Sequence, residues 1–147
     1  MTTICTIGYT QKTLERFIRL LQEAGVDAMI DIRLNNTSQL AGFSKRDDLA
    51  FLLREGFGIE YEHRLELAPT PAIRDGYRSE GDWARYERDF IPLLVERDAE
   101  AIGRELLGRY RRPCLLCAEP VPDHCHRRLV AEWWAAHLSG IEINHLV

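Results

Sequence analysis

The sequence predicts an α/β fold of three layers, a mostly parallel five-stranded sheet with helices on both faces. Short apolar or β-branched runs alternate with amphipathic helical stretches along the chain, the pattern of successive βαβ units. The run Pro113 to Ala118 is almost continuously apolar, as a strand covered on both faces should be. Polar groups follow directly on three of the predicted strands, at Gly8-Tyr9-Thr10, Asp31-Ile32-Arg33 and Cys117-Ala118-Glu119. Ligands of such sheets bind beyond the carboxyl ends of the strands, so these three groups are expected to converge on one edge.

Thr3 to Ile7 forms the first strand and Gly8 ends it. Leu14, Phe17, Ile18 and Leu21 then repeat at helical spacing, with Gly25 as the stop. Val26 to Ile32 is the second strand, and a right-handed crossover makes it parallel to the first. Leu34 to Phe43 is polar and amide-rich, hence a loop. Ser44 and Asp47 resemble a capping box for a helix whose Leu49, Leu52 and Leu53 face inward and which ends at Gly56. Ile59 to His63 is the third strand.

Arg64 to Gly81 shows no apolar periodicity and contains Pro69, Pro71, Gly76 and Gly81, so it is expected to be a long irregular loop or lid. Asp82 begins a helix with Trp83, Tyr86 and Phe90 on one face, Pro92 kinks it or starts the next one, and a further helix runs from about Leu93 to Arg109. Pro113 to Ala118 is the fourth strand. After it, Asp123 is the expected N-cap of a helix carrying Leu129, Val130, Trp133, Trp134 and His137, and Ile141 to Leu146 is the fifth strand.

A chain of 147 residues suits one domain with one full core, spanning residues 1–147. Hydrophobic content of 46% and charged content of 29% are those of an ordinary globular protein with no apolar run long enough for a membrane. The N-terminal residues lack a basic, then apolar, leader pattern, which leads us to expect a cytoplasmic protein. A net charge of −4 argues against a broad basic surface for nucleic acid, while leaving a local basic pocket open. Four cysteines are too few for a disulfide framework and are expected to be reduced thiols. Nothing in the pattern fixes an oligomeric state.

Five stretches carry a resemblance. They are Thr6-Ile7-Gly8-Tyr9-Thr10, Asp31-Ile32-Arg33, Phe43-Ser44-Lys45, Leu115-Leu116-Cys117-Ala118-Glu119 and Cys125-His126-Arg127. On them the chain resembles, along essentially its whole length, the bacterial and archaeal family called domain of unknown function 488. The loop Leu34 to Gly42 is similar to one branch of that family, whereas other branches carry a proline-containing loop there. The resemblance implies the α/β fold and a shared pocket.

Chemistry concentrates at the junction from Cys114 to Arg128, where a buried strand feeds the first turn of a helix. Cys125, near that helix N-terminus and Arg127, is the thiol expected to have the depressed pKa, unless it simply packs beneath the loop. Cys117, Cys125, Asp31 and Glu119 are the candidate catalytic groups, the carboxylates as acid or base or else as ion-pair partners of Arg33 and Arg127. Gly8, Tyr9, Thr10, Arg33, Lys45, His126 and Arg127 are the candidate ligand-binding residues, a set suited to phosphate or carboxylate. Cys114-x-x-Cys117 followed by His124, Cys125 and His126 imitates metal-ligand spacing, but residues three apart on a strand face opposite ways. A site from Cys117, Cys125 and His126 stays open, yet no metal ligand and no cofactor is assigned from the sequence alone.

The sequence is read as a small enzyme acting on a phosphate-bearing ligand, a nucleotide or nucleic-acid component. The alternatives are a non-catalytic ligand-binding or regulatory module and a metal-binding or thiol-redox protein. No Walker loop, dinucleotide glycine fingerprint or serine-nucleophile elbow is present.

Overall fold

Five strands, β1 (Thr2–Gly8), β2 (Ala28–Asp31), β3 (Glu60–His63), β4 (Pro113–Cys117) and β5 (Ile141–Leu146), form an all-parallel sheet in the order β3-β2-β4-β1-β5. This is a computed structural model, and it describes residues 1–37 and 42–147. Positions 38–41, the middle of the amide-rich loop, lie outside the described residues. The helices are α1 (Leu14–Glu23), α2 (Arg46–Phe51, continued by a π-helical turn over Leu52–Gly56), α3 (Pro71–Glu80), α4 (Trp83–Glu96), α5 (Ala99–Arg109) and α6 (His126–His137).

Strand periodicity distributes the core between two layers. Ile4, Ile30 and Leu115 face one side and pack with Phe90 and Leu94 of α4, Leu106 of α5 and Trp134 of α6. Cys5, Met29, Cys114 and Leu116 face the other and pack with Phe17 and Leu21 of α1 and Leu49 of α2. With both faces covered, the central strand β4 carries the continuous apolar run that made it legible, and β1 a buried β-branched one. Among the described residues no helix is long and apolar enough to cross a membrane.

Four expectations are corrected here. Arg64 to Gly81 is not an irregular lid: it forms a 3-10 turn, Leu65–Leu67, and then helix α3. Thr70 caps α3 by accepting a hydrogen bond from the Ile73 amide at 3.2 Å, Pro71 occupies the first turn, and Gly81 closes the helix with φ +69°. No residue of α3 is fully buried, so its apolar stripe shrinks to Ile73 and Tyr77, too sparse to read as a period. Pro92 neither ends nor starts a helix, because α4 continues through it with Phe90 and Leu94 anchored in the core on either side. The break falls instead at Asp98, which is left-handed (φ +52°) and accepts from the Ala101 amide.

The caps of α2 and α6 also differ from expectation. Lys45 precedes α2 with no side-chain cap, so the Ser44–Asp47 box does not form. Cys125, not Asp123, is the N-cap residue of α6, and its sulfur bonds none of the helix amides.

Thr70→Ala removes the only side-chain cap of α3 and should cost about 1 kcal/mol. Denaturant melts of the two proteins check this, and hydrogen exchange should show the Ile73 amide losing protection while the amides of β4 keep theirs.

Candidate functional site

At the carboxyl edge of the sheet, Cys117 ends β4 and α6 returns the chain so that His126 and Cys125 face it. Cys117 Sγ lies 3.3 Å from His126 Nδ1. His126 Nε2 lies 2.7 Å from the backbone oxygen of Ile32, just beyond β2. A carbonyl can only accept, so Nε2 carries the hydrogen and Nδ1, the nitrogen nearer the Cys117 sulfur, keeps its lone pair. One ligand atom from each of Cys117, Cys125 and His126 falls within 4.8 Å of the others, and all three residues are buried. Among the described residues this is the one cluster of three such groups.

The two thiols differ in acidity. Cys117 is held below the ordinary thiol range, first by the hydrogen bond that the Cys125 thiol donates to it, then by the Ala118 amide and the Arg127 charge, which together outweigh burial. Cys125 is pushed well above that range by burial and by its partner's charge. The depressed thiol is therefore Cys117 rather than the expected Cys125. Position at a helix N-terminus does not help a sulfur whose hydrogen is already donated to another sulfur. Cys114 points into the opposite layer and burial raises it strongly, while burial lifts Cys5 to about 11.

A cavity of about 580 Å³ opens above the cluster, with Cys117, Cys125 and His126 in its lining. Tyr9 and Arg33 line it from the ends of β1 and β2, the Arg33 guanidinium 5.2 Å from the Tyr9 ring. Arg74, Tyr77 and Arg78 of α3 and Trp83 and Tyr86 of α4 form its far wall. Trp83 stacks on Tyr86 and, from its other neighbours, on His124, with centroids 4.7 and 5.2 Å apart. Among the described residues Arg78 makes no ion pair, and it is exposed at the rim. None of these α3 and α4 residues was foreseen as functional. The Thr70-Pro71 start and Gly81 stop were the signals that could have found α3, and with it the two arginines.

The structure sorts the sequence-predicted residues. Glu119 lines the cavity, as do Tyr9, Arg33, His126, Cys117 and Cys125. Gly8 is positioned rather than exposed: an added Cβ would meet the Glu119 oxygen at 1.6 Å and Arg127 Nη1 at 2.6 Å. Thr10 donates its hydroxyl to the Ala118 oxygen at 2.6 Å and so fastens β1 to the loop after β4. Lys45 and Arg127 are not among the lining residues. Arg127 is fully buried; its Nη1 donates to the Glu119 backbone oxygen at 2.6 Å, and among the described residues its Nε and Nη2 have no partner.

Asp31 faces the α1 and α2 layer, the opposite side of the sheet from Cys117. There it accepts from Arg33 at 2.8 and 2.9 Å, from Asn36 at 3.3 Å and from the Tyr61 hydroxyl. Asp31 is thus ion-paired with Arg33, which lines the cavity. Asp31 is buried and its pKa is nevertheless lowered, because the bonds and charge of Arg33 and the Tyr61 hydroxyl outweigh desolvation.

A family model described as Domain of unknown function DUF488 matches residues 13–134. The chain belongs to this family. The match runs from α1 to α6 and so includes Asp31, Arg33, Lys45, Cys117, Glu119, Cys125, His126 and Arg127, while Gly8 to Thr10 precede it. No curated protein and no solved structure matches this DUF488 chain.

The Asp31 pair generates a pH prediction. Its folded pKa lies below the unfolded value of about 3.9, so its stabilisation is present above that value and is lost as the pH falls toward the folded pKa. Asp31→Asn strands the buried Arg33 and should lose about 3–5 kcal/mol at neutral pH. Urea melts at neutral and acid pH should show this difference shrinking below about pH 4.

Proposed function

We propose that this DUF488 protein is an enzyme acting on a phosphate-bearing ligand, a nucleotide or nucleic-acid component, bound at the carboxyl edge of the sheet. The observation that carries the reading is the composition of the cavity wall. Cations and flat rings meet there, and the sulfur–imidazole cluster forms part of the same lining. Arg33 is fixed by Asp31, and Arg78 is free of any carboxylate, so phosphate would meet a guanidinium already aimed and another not yet neutralised. Tyr9 and Tyr77 supply faces on which a base can stack. A volume of about 580 Å³ is in the range of small-ligand sites. The Cys117, Cys125 and His126 cluster is the group in this wall able to do chemistry, which favours an enzyme over a passive binder. Glu119, also in the lining, is placed to serve as an acid or base. The four cysteines are all free and buried, which suits a reducing compartment such as the cytoplasm.

The test is a thermal-shift and calorimetric screen with nucleoside mono-, di- and triphosphates against the matching nucleosides. A phosphate-bearing compound should bind and its nucleoside should bind more weakly. Arg78→Ala should weaken that binding by about tenfold, the loss of one charge-assisted hydrogen bond, with the melting temperature of the free protein unchanged. Arg19→Ala, on the far surface of α1, should leave binding as it was. Equal affinity for nucleoside and nucleotide, or full binding in a variant lacking both Arg74 and Arg78, would refute the reading.

A further inference from the structure

We infer that Cys117, Cys125 and His126 form a binding site for a thiophilic divalent metal ion of the zinc class, with its fourth coordination position open to the cavity. The site itself follows from the three side chains. Only the statement that the open position serves a phosphate-bearing ligand rests on the function proposed above.

Two thiolates and one imidazole nitrogen form a familiar three-donor set for catalytic zinc, in which the remaining position is left to water or substrate. The three donors are close enough to share an ion, and the Cys117–His126 contact is not a well-aligned hydrogen bond. Cys117 Sγ is 3.3 Å from His126 Nδ1 but only 3.9 Å from Nε2. A sulfur in line with the Nδ1 lone pair would stand about 5 Å from Nε2, because the two nitrogens are spread across the ring. The sulfur therefore lies well to the side of the lone pair, where a hydrogen bond is weak. A tetrahedral ion about 2.0 Å from nitrogen and about 2.3 Å from sulfur puts those two donors about 3.5 Å apart, near the 3.3 Å found here, and the imidazole then has to turn about its Ile32 bond to bring the Nδ1 lone pair onto the ion. The largest separation in the cluster, no more than 4.8 Å, then needs to close by only about 1 Å.

The second shell is also in place. Metal-bound histidines commonly donate their other ring N–H to a carbonyl or carboxylate, which fixes the tautomer and the ring plane. Ile32 supplies that carbonyl at 2.7 Å. Cys114, the other half of the Cys-x-x-Cys spacing, takes no part, since it is buried in the α1 and α2 layer. The ligand spacing is thus Cys117, then Cys125-His126 after seven intervening residues, with a loop between that lets a strand end and a helix N-cap share one ion. Binding converts two thiols to thiolates, so an incoming M²⁺ displaces up to two protons and leaves the three-ligand site neutral.

The experiment titrates reduced, chelator-treated full-length protein with Co²⁺ in the absence of nucleotide, followed by Zn²⁺. Co²⁺ should bind at about one equivalent with an intense thiolate-to-metal absorption, release protons, and be displaced by Zn²⁺. Cys117→Ser and Cys125→Ser should each weaken Co²⁺ by more than about 100-fold, beyond the loss that second-shell changes cause. His124→Ala should keep full affinity, since that imidazole is exposed and stacks on Trp83. The wild-type titration needs no variant to fold, and circular dichroism shows whether each serine variant has. Wild-type protein with no thiolate-to-metal absorption at millimolar Co²⁺ overturns the inference, as does unchanged binding in a Cys117→Ser, Cys125→Ser double variant. Nucleotide binding that persists in chelator, together with a silent metal titration, would sink the metal site and leave the proposed function standing. Metal uptake without nucleotide binding would do the reverse.

Discussion

The hydrogen bond from His126 Nε2 to the Ile32 carbonyl is the constraint on which the site depends. It ties the first residue of α6 to the chain just past β2, across β4, and thereby closes the carboxyl edge of the sheet. The same bond decides the chemistry, because a ring nitrogen committed to donating leaves its partner nitrogen free to accept or ligate. Ile32 is itself held in register, its amide donating to the Leu116 oxygen at 3.1 Å. The imidazole thus inherits its orientation from the sheet and not from a loop, which is the more rigid of the two supports.

The sheet divides labour between its faces. Asp31 and Cys117 end neighbouring strands, yet Asp31 stands opposite Leu116 in the register, so its side chain turns to the α1 and α2 layer while that of Cys117 turns the other way. Had both faced one side, a buried carboxylate would sit beside the sulfurs and oppose their ionisation. Separated, Asp31 anchors Arg33, and only the guanidinium reaches the cavity. A carboxylate that looks catalytic at a strand end becomes a positioning group through the two-residue period of the strand.

That period was readable from the sequence, and so was most of the architecture. Apolar and β-branched runs identified all five strands, and Pro113 to Cys117, buried along its whole length, is the clearest, whereas the edge strands β3 and β5 keep polar positions. The convergence of Tyr9, Arg33, Cys117 and His126 on one cavity followed from the rule about strand ends. The far wall was not legible. Helix α3 packs with partial burial along its length, so Ile73 and Tyr77 gave no stripe and its prolines and glycines suggested a loop. The cap of α6 was misplaced for a different reason: Asp123 has the better side chain for the task, but the chain needs Cys125 at that turn to meet Cys117. Local preference yielded to a tertiary requirement, and it did so at the site.

Arg127 shows how much the fold concedes to keep that junction. A fully buried guanidinium with Nε and Nη2 unpartnered is an expensive feature for a core. Its one bond among the described residues, to the Glu119 oxygen, exists only because Gly8 has no Cβ, so β1 gives up a side chain to admit the contact. Arg127 also cannot be a surface group held down by its stem, since no part of it reaches solvent. What the position does provide is a fixed positive charge behind the sulfurs, close enough to lower Cys117 and too deep to be screened by salt. The loop from Ala118 to Cys125 is then gripped from both sides, by Thr10 at the Ala118 oxygen and by Arg127 at the Glu119 oxygen. With its first turn fixed in this way, the loop can carry two prolines, Pro120 and Pro122, and still return Cys125 to within ligand distance of Cys117.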